Sequence, residues 1–149
     1  MNSNVAFRRP SSIERFFNRA FGVLVGMGLG MLYNYLLQVR GRKTGRLYST
    51  PVNLLEFHGK QYLVAPRGQT QWVRNAEVSG EVTLKRGASR RRFRLRTLSN
   101  EEKPEILKAY LERYAVAVQR YFPVPARSPV EAFAPLVANY PVFELLLVE

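Results

Sequence analysis

The stretch Leu47-Tyr48-Ser49-Thr50-Pro51-Val52-Asn53-Leu54-Leu55-Glu56-Phe57-His58-Gly59-Lys60-Gln61-Tyr62-Leu63-Val64-Ala65 decides the fold. Leu47 to Phe57 and Gln61 to Ala65 are strand-like runs, and His58 to Lys60 is the turn between them. Upstream, Gly41 to Arg46 is a second turn, and Tyr33 to Arg40 a strand before it. Downstream, Gln69 to Ser79 reads as a short helix. Val82 to Arg86 and Arg91 to Leu98 are strands joined by Gly87 to Ser89. Short strands joined this closely predict an antiparallel sheet rolling into a barrel. Ser99-Asn100-Glu101-Glu102 is a capping-box pattern opening a longer helix to about Phe122, with Pro104 tolerated in its first turn. Pro123 to Pro129 is a loop, Val130 to Ala138 a short helix and Val142 to Val148 a closing strand. The fold class is therefore α+β: a mainly antiparallel barrel with flanking helices.

The N-terminal segment carries a different signal. Ile13, Phe16, Phe17, Ala20, Leu24 and Met27 recur at three- and four-residue steps, which predicts a helix from Ser11 to about Gly28. The uncharged run Ala20 to Gln38 is long enough to suggest a membrane span. Four glycines and Tyr33 and Tyr35 argue instead for a helix, a break near Gly28 to Gly30 and then a strand. No small-residue cleavage site closes the run, so a signal peptide is not expected. Residues 1–30 read as a helical extension of one domain, 1–149. Arg8, Arg9, Arg15 and Arg19 beside the apolar face also suit a helix lying at a membrane interface. The competing reading packs the same face over the barrel's open end.

Composition removes several function classes. The chain of 149 residues, 46% hydrophobic, fits one domain that buries its own core without disulfide or metal. It has no cysteine and no aspartate, and its one histidine, His58, falls in a turn. A Ser-His-Asp triad and a His/Cys/Asp metal cluster are therefore excluded. The absence of cysteine is compatible with a reducing cytoplasm. The net charge of +12 and pI near 10.6 attract an anionic small ligand, anionic lipid or nucleic acid.

The motifs sort those partners. Gly26-Met27-Gly28-Leu29-Gly30 follows a helical run and lacks the acidic residue a dinucleotide loop needs, so it reads as a helix break. In Gly41-Arg42-Lys43-Thr44-Gly45-Arg46, two glycines permit a tight turn that presents backbone N–H groups, cations and a hydroxyl to a phosphate or carboxylate. The other reading is a solvated basic hairpin tip. Val64 to Asn75 joins a strand end, a glycine loop and a helix start bearing the only tryptophan, Trp72. Helix N-terminal amides bind anions, and an indole covers a flat ring or simply joins the core. Tyr110, Tyr114 and Tyr121 share one helical face by their spacing, either as pocket phenols or as a half-buried stripe. Arg92, Arg94 and Arg96 alternate with Phe93 and Leu95, the pattern of an exposed strand face. A nucleic-acid site would prefer exposed aromatics among those cations, whereas Phe93 points coreward, so no nucleic-acid partner is expected.

Gly41 to Arg46 with Ser49-Thr50-Pro51-Val52, then Tyr62-Leu63-Val64-Ala65 and Trp72-Val73-Arg74-Asn75, resembles the deazaflavin (F420)-dependent nitroreductase and quinone reductase family. The likeness runs from about Asn18 to Pro141-Val142-Phe143 and implies a split β-barrel related to flavin-binding barrels. It implies that Arg42, Lys43 and Thr44 hold the coenzyme's phosphate and acidic tail. Tyr48, Pro51, Val52 and Asn53 would run along the deazaflavin, with Ala65, Pro66 and Arg67 from the next strand. Gln71, Trp72 and Asn75 would close the site. Tyr110, Tyr114 and Tyr121 would line the acceptor pocket, and Tyr114 stands as the candidate proton donor. The loop from Arg67 to Trp72 is shorter than the family pattern, and Pro66 replaces a frequent hydroxyl residue, which weighs against nitro-prodrug chemistry.

The resemblance implies an F420-dependent oxidoreductase, a reductase passing hydride from the reduced coenzyme to a quinone, enone or nitroaromatic. The cofactor does the hard chemistry, so the absence of a catalytic dyad is expected. FMN is the alternative coenzyme. The alternative functions are a non-catalytic flavin- or lipid-binding barrel and a basic nucleic-acid-binding module. The expected location is cytoplasmic, with peripheral membrane contact through the N-terminal helix as an added reading.

Overall fold

The computed structural model describes residues 33–148. The helix expected over Ser11 to Gly28, the glycine break and the extension 1–30 lie outside the described residues.

Seven strands form one antiparallel sheet: β1 Tyr35–Arg40, β2 Leu47–Val52, β3 Leu54–Phe57, β4 Lys60–Val64, β5 Glu81–Arg86, β6 Ser89–Thr97 and β7 Val142–Leu147. Their order is β2-β1-β5-β6-β7-β4-β3. The two edge strands, β2 and β3, are consecutive in sequence and separated only by Asn53. A seven-stranded sheet whose edges are one residue apart must curl until they meet, which is the geometry of a barrel. The single strand expected from Leu47 to Phe57 is thus two strands. Alternation along the run looks unbroken, but Asn53 is where the chain passes from one edge of the sheet to the other.

Asn34 closes that seam. Its backbone N–H donates to the Val52 carbonyl (3.2 Å) and to Asn53 Oδ1 (3.1 Å). Its side-chain oxygen accepts from the Leu54 N–H at 2.9 Å, and its amide nitrogen lies 2.9 Å from Tyr114 Oη. The Tyr114 hydroxyl donates to the Leu54 carbonyl. These bonds satisfy backbone groups that ladder pairing cannot reach where a strand changes edges.

Two apolar clusters follow from strand alternation. Leu37, Val39, Val52, Leu63, Val82, Leu84, Phe93 and Phe143 fill the barrel. Leu55, Tyr62, Val64 and Val142 point outward and are covered by Ile106, Leu107, Tyr110, Leu111, Phe122 and Phe133. Hence Tyr62 to Ala65 is buried continuously, being covered on both faces. On β6 only Phe93 and Leu95 turn inward; Arg90, Arg92 and Arg94 are exposed, the solvated face their alternation predicts.

The helices begin with α1, Gln71–Ser79, which caps the barrel through Val73 and Ala76 and ends at Gly80 with φ 76°. The capping box at Ser99 and Glu102 is present and opens a 3₁₀ turn, Asn100–Glu102, leading into α2, Lys103–Arg113. The uninterrupted helix expected to Phe122 does not form. Tyr114 leaves helical geometry (φ −120°, ψ 29°), a four-residue α3, Ala115–Val118, follows, and Gln119–Tyr121 is 3₁₀. The physical reason is the seam: the Tyr114 hydroxyl is tied to β3 and Asn34, and the β-branched Val116 and Val118 add little helical preference. Val130–Asn139 is 3₁₀ rather than α, with Pro135 inside it.

Candidate functional site

A cleft of about 510 Å³ opens where the seam, the barrel mouth and the helices meet. One wall is made by strand ends: Thr50 to Asn53 leaving β2, and Val64 to Arg67 leaving β4. The second is the start of α1, with Gln69, Thr70, Gln71, Trp72 and Arg74. Tyr110, Ala117, Val118 and Tyr121 supply the third wall, and Tyr33 joins them beside the seam.

The walls mix apolar and aromatic side chains with the polar Thr50, Asn53, Gln69, Thr70 and Gln71, while exposed Arg67 and Arg74 add positive charge. Trp72 is half-buried. Its ring packs on Phe143, centroids 6.0 Å apart, and its remaining surface lines the cleft. It is therefore both core and cleft wall, reconciling the two sequence readings of the indole. Thr70 occupies the N-cap position of α1, yet its side chain caps nothing. Its Oγ1 is buried and has no hydrogen-bond partner among the described residues. An unmatched buried hydroxyl is costly unless something bound there meets it.

Tyr110 is 2% exposed, and burial raises its pKa above the usual phenol range; a hydrogen bond with the Asn53 side chain opposes part of that rise. It stays protonated at neutral pH. Its ring lies 5.4 Å from that of Tyr114. Tyr121 is half-buried; its oxygen accepts a 2.8 Å hydrogen bond from Arg120, whose guanidinium lies 4.8 Å from the ring centroid.

Of the residues expected from the sequence, Pro51, Val52, Asn53, Ala65, Pro66, Arg67, Gln71, Trp72, Tyr110 and Tyr121 all line this one cleft. The others sit elsewhere. Tyr114 is not among the lining residues, and its hydroxyl proton goes to the Leu54 carbonyl. The O–H of Tyr114, the expected proton donor, is engaged in the seam. Asn75 is 5% exposed, and its Oδ1 accepts from the Arg42 backbone N–H (3.0 Å) and from Arg42 Nη1 (2.7 Å). It anchors the basic turn to α1.

In that turn, Gly41 N–H donates to the Arg46 carbonyl, Gly45 N–H to the Gly41 carbonyl and Arg46 N–H to Thr44 Oγ1. With the Arg42 amide already taken, most of the amides expected to face an anion are used inside the protein. Thr44 Oγ1 lies 3.3 Å from the Tyr48 hydroxyl, so both shape the turn. A Cβ on Gly41 would meet the Tyr48 ring at 2.5 Å, which is why glycine stands there. Lys43 is exposed and Arg42 partly so.

Sequence reading gave no individual role to Thr70, Arg74, Val64, Gln69, Tyr33, Thr50, Ala117 and Val118, although the first four fall within the Val64 to Asn75 segment it singled out. The first two had a signal. Thr70 immediately precedes a helical run, the N-cap pattern, and Arg74 lies one turn on. Among the described residues no His/Asp/Glu group could hold a metal, and no helix is long and apolar enough to cross a membrane.

Residues 12–125 match the family model described as F420H2-dependent quinone reductase. No curated protein matches the chain. Among solved structures, Atu2129 from Agrobacterium tumefaciens C58 aligns with a TM-score of 0.54 at 20% identity over 76% of this chain. The match covers 47% of Atu2129, so the chain spans about half its length. An F420H2-dependent reductase, FDR-A, aligns at 0.51 with 22% identity, over 74% of this chain and 91% of that one. A Listeria innocua protein named for pyridoxamine 5′-phosphate oxidase aligns at 0.50 with 10% identity, over 85% and 94%. At such identities these likenesses establish the fold, a split barrel.

Proposed function

The chain belongs to the F420H2-dependent quinone reductase family and is an F420-dependent oxidoreductase, and from that premise we propose that the cleft binds the deazaflavin and presents it to a flat, quinone-type acceptor. The observation that carries the reading is the convergence of two separated sequence motifs on one cleft that joins flat apolar surface to polar groups and two cations. The residues fit the group. Pro51, Val52, Ala65, Pro66 and Trp72 offer flat apolar surface, and Asn53 and Gln71 supply polar contacts. The buried Thr70 hydroxyl has no partner among the described residues, and a polar ring edge or ribityl hydroxyl would provide one. Arg67 and Arg74 at the cleft, with Arg42 and Lys43 from the neighbouring turn, would hold the coenzyme's phosphate and acidic tail.

F420 supplies hydride chemistry when bound. The chain's own contribution would be to shield the site with its apolar and aromatic side chains, to hold the rings at reacting distance and to keep the buried Tyr110 phenol protonated. Quinones, enones and nitroaromatics are all flat enough for the space, and the reading favours quinones.

Location extends the proposal. The apolar face Ile13, Phe16, Phe17, Ala20, Leu24 and Met27, with its flanking arginines, would rest on anionic lipid at the cytoplasmic surface, where lipid-soluble quinones reside. Removing residues 1–19 should then release the protein from anionic liposomes and leave coenzyme binding intact; an intact chain that never sediments with liposomes refutes the anchor.

Titration with F420 and with FMN, followed by coenzyme fluorescence, tests the main proposal. Saturable F420 binding that quenches Trp72 is expected. Binding of FMN alone, or of neither, would sink it.

A further inference from the structure

We infer that Tyr121 donates the proton that completes reduction of a carbonyl-type acceptor and that Arg120 is its positioning residue; this rests on the placement of coenzyme and acceptor in the cleft. Four phenols lie in or against the cleft, and their hydrogen bonds separate them. Tyr114 gives its proton to the Leu54 carbonyl. Tyr110 is fully buried, is bonded to Asn53 and has its ionisation opposed by desolvation, so it is a poor acid. Tyr33 has no guanidinium over its ring among the described residues. Among the described residues, Tyr121 is the cleft-lining phenol whose oxygen accepts from a guanidinium, Arg120 Nη2 at 2.8 Å. That bond uses a lone pair of Oη and leaves the O–H to be donated elsewhere. Arg113 also lies over a phenol, 5.5 Å from the Tyr114 centroid, but that hydroxyl is already engaged in the seam.

The step balances. As a carbon of a quinone or enone takes a hydride, the π pair of its conjugated carbonyl moves onto oxygen. An O–H bond forms there as the Tyr121 O–H bond breaks. The phenolate that remains faces the Arg120 cation until water returns a proton. The acceptor has gained two electrons and two hydrogens, the reductant being the reduced F420 that the family uses. Charge that develops on the acceptor oxygen and then on Oη meets a fixed cation, which serves this role better than a neutral dipole. The acceptor class that profits is one whose negative charge collects on a single oxygen.

The test uses the full chain. With F420H2 and menadione, Tyr121→Phe should lower kcat roughly 100-fold with KM little changed, the scale of a lost general acid. Added buffer acid should restore part of the rate, an effect that a purely structural phenol would not show. Arg120→Gln should cost roughly tenfold and Arg120→Lys should regain most of it, because the charge returns. A second readout needs no coenzyme: quenching of Trp72 by 2-hydroxy-1,4-naphthoquinone, an oxyanion at neutral pH, against uncharged 1,4-naphthoquinone. Arg120→Gln should weaken only the anion, roughly tenfold. Arg120 is exposed, so its variants keep the test open even where Tyr121→Phe does not fold. A Tyr121→Phe enzyme within twofold of wild type overturns the inference. So do a rate loss indifferent to buffer acid and an Arg120→Gln protein that binds both quinones as before. Failure of F420 to bind would instead strike the coenzyme reading and leave the quinone-binding comparison standing.

Discussion

The strand wall and the helical wall of the cleft are built by different means. The strand wall is local: Thr50 to Asn53 and Val64 to Arg67 are short continuous stretches, and residues adjacent in sequence are adjacent in the wall. The helical wall is assembled at a distance. Tyr110 and Tyr121 belong to different elements, and the break between them at Tyr114 depends on a hydrogen bond to a residue 60 positions away. A wall set by local sequence tolerates loss of a remote contact, whereas a wall set by one tertiary tie does not. Asn34 couples the two, since it bonds the strand junction with one side of its amide and Tyr114 with the other.

The sharpest way to break the comparison is to remove that coupling. Asn34→Ala orphans the Leu54 N–H and one partner of Tyr114, and should cost about 3 kcal/mol of stability, the upper end for partly buried groups left unsatisfied. Chemical denaturation measures it. Tyr114→Phe should cost about 1–2 kcal/mol while kcat falls less than tenfold. A drop in kcat of roughly 100-fold with unchanged stability would return Tyr114 to the role of proton donor.

Smaller effects are expected on the strand side. Lys43→Ala should weaken F420 binding by about 2 kcal/mol, the scale of a charged hydrogen bond. Arg42→Ala should cost a similar amount, partly through loosening of the turn, because Arg42 also bonds Asn75. Unchanged affinity in both variants, measured by coenzyme fluorescence, removes the turn from the site. Trp72→Phe keeps an aromatic against Phe143 and should cost about 1 kcal/mol of coenzyme affinity. If wild-type Trp72 keeps full emission at saturating F420, its cleft-facing surface does not touch the ring.

The smallest expected effect concerns how the helical wall begins. Two hydrogen bonds from Arg96, then those of the Ser99 backbone and hydroxyl, hold the Glu102 carboxyl down to about 2. A carboxyl lowered on folding stabilises the native state above its unfolded pKa, near 4.5, and that contribution disappears as pH falls toward 2. Wild type should therefore lose melting temperature between about pH 4.5 and 2, and Glu102→Gln should flatten that limb. An unchanged acid limb in the variant would show that other carboxylates carry it. Glu102 is exposed, so the effect is modest and should shrink with salt.

Much of the molecule is legible in the sequence because its signals are local. Alternation on β6 marked Phe93 as core and its arginine neighbours as surface; turn residues marked the hairpins; Ser99 and Glu102 marked the start of a helix. The basic turn and the Val64 to Asn75 segment stood out as candidate binding segments for the same reason. What could not be read was which hydrogen bonds the fold would use up. The turn's amides looked available until Asn75 and the turn itself took most of them, and the Tyr114 phenol looked as free as that of Tyr121.

By itself, the sequence determined that this is a cysteine-free, strongly basic antiparallel barrel with a basic, glycine-flanked turn and its one tryptophan at a helix start, because periodicity, turn chemistry and charge are properties of neighbouring residues. Only the tertiary structure decided that Asn53 is a seam between two edges of one sheet, that the long helix breaks at Tyr114 and that the Tyr114 hydroxyl is tied to Leu54 and Asn34. A hydroxyl's role depends on which acceptor lies within about 3 Å of it, and that distance is set by parts of the chain far apart in sequence.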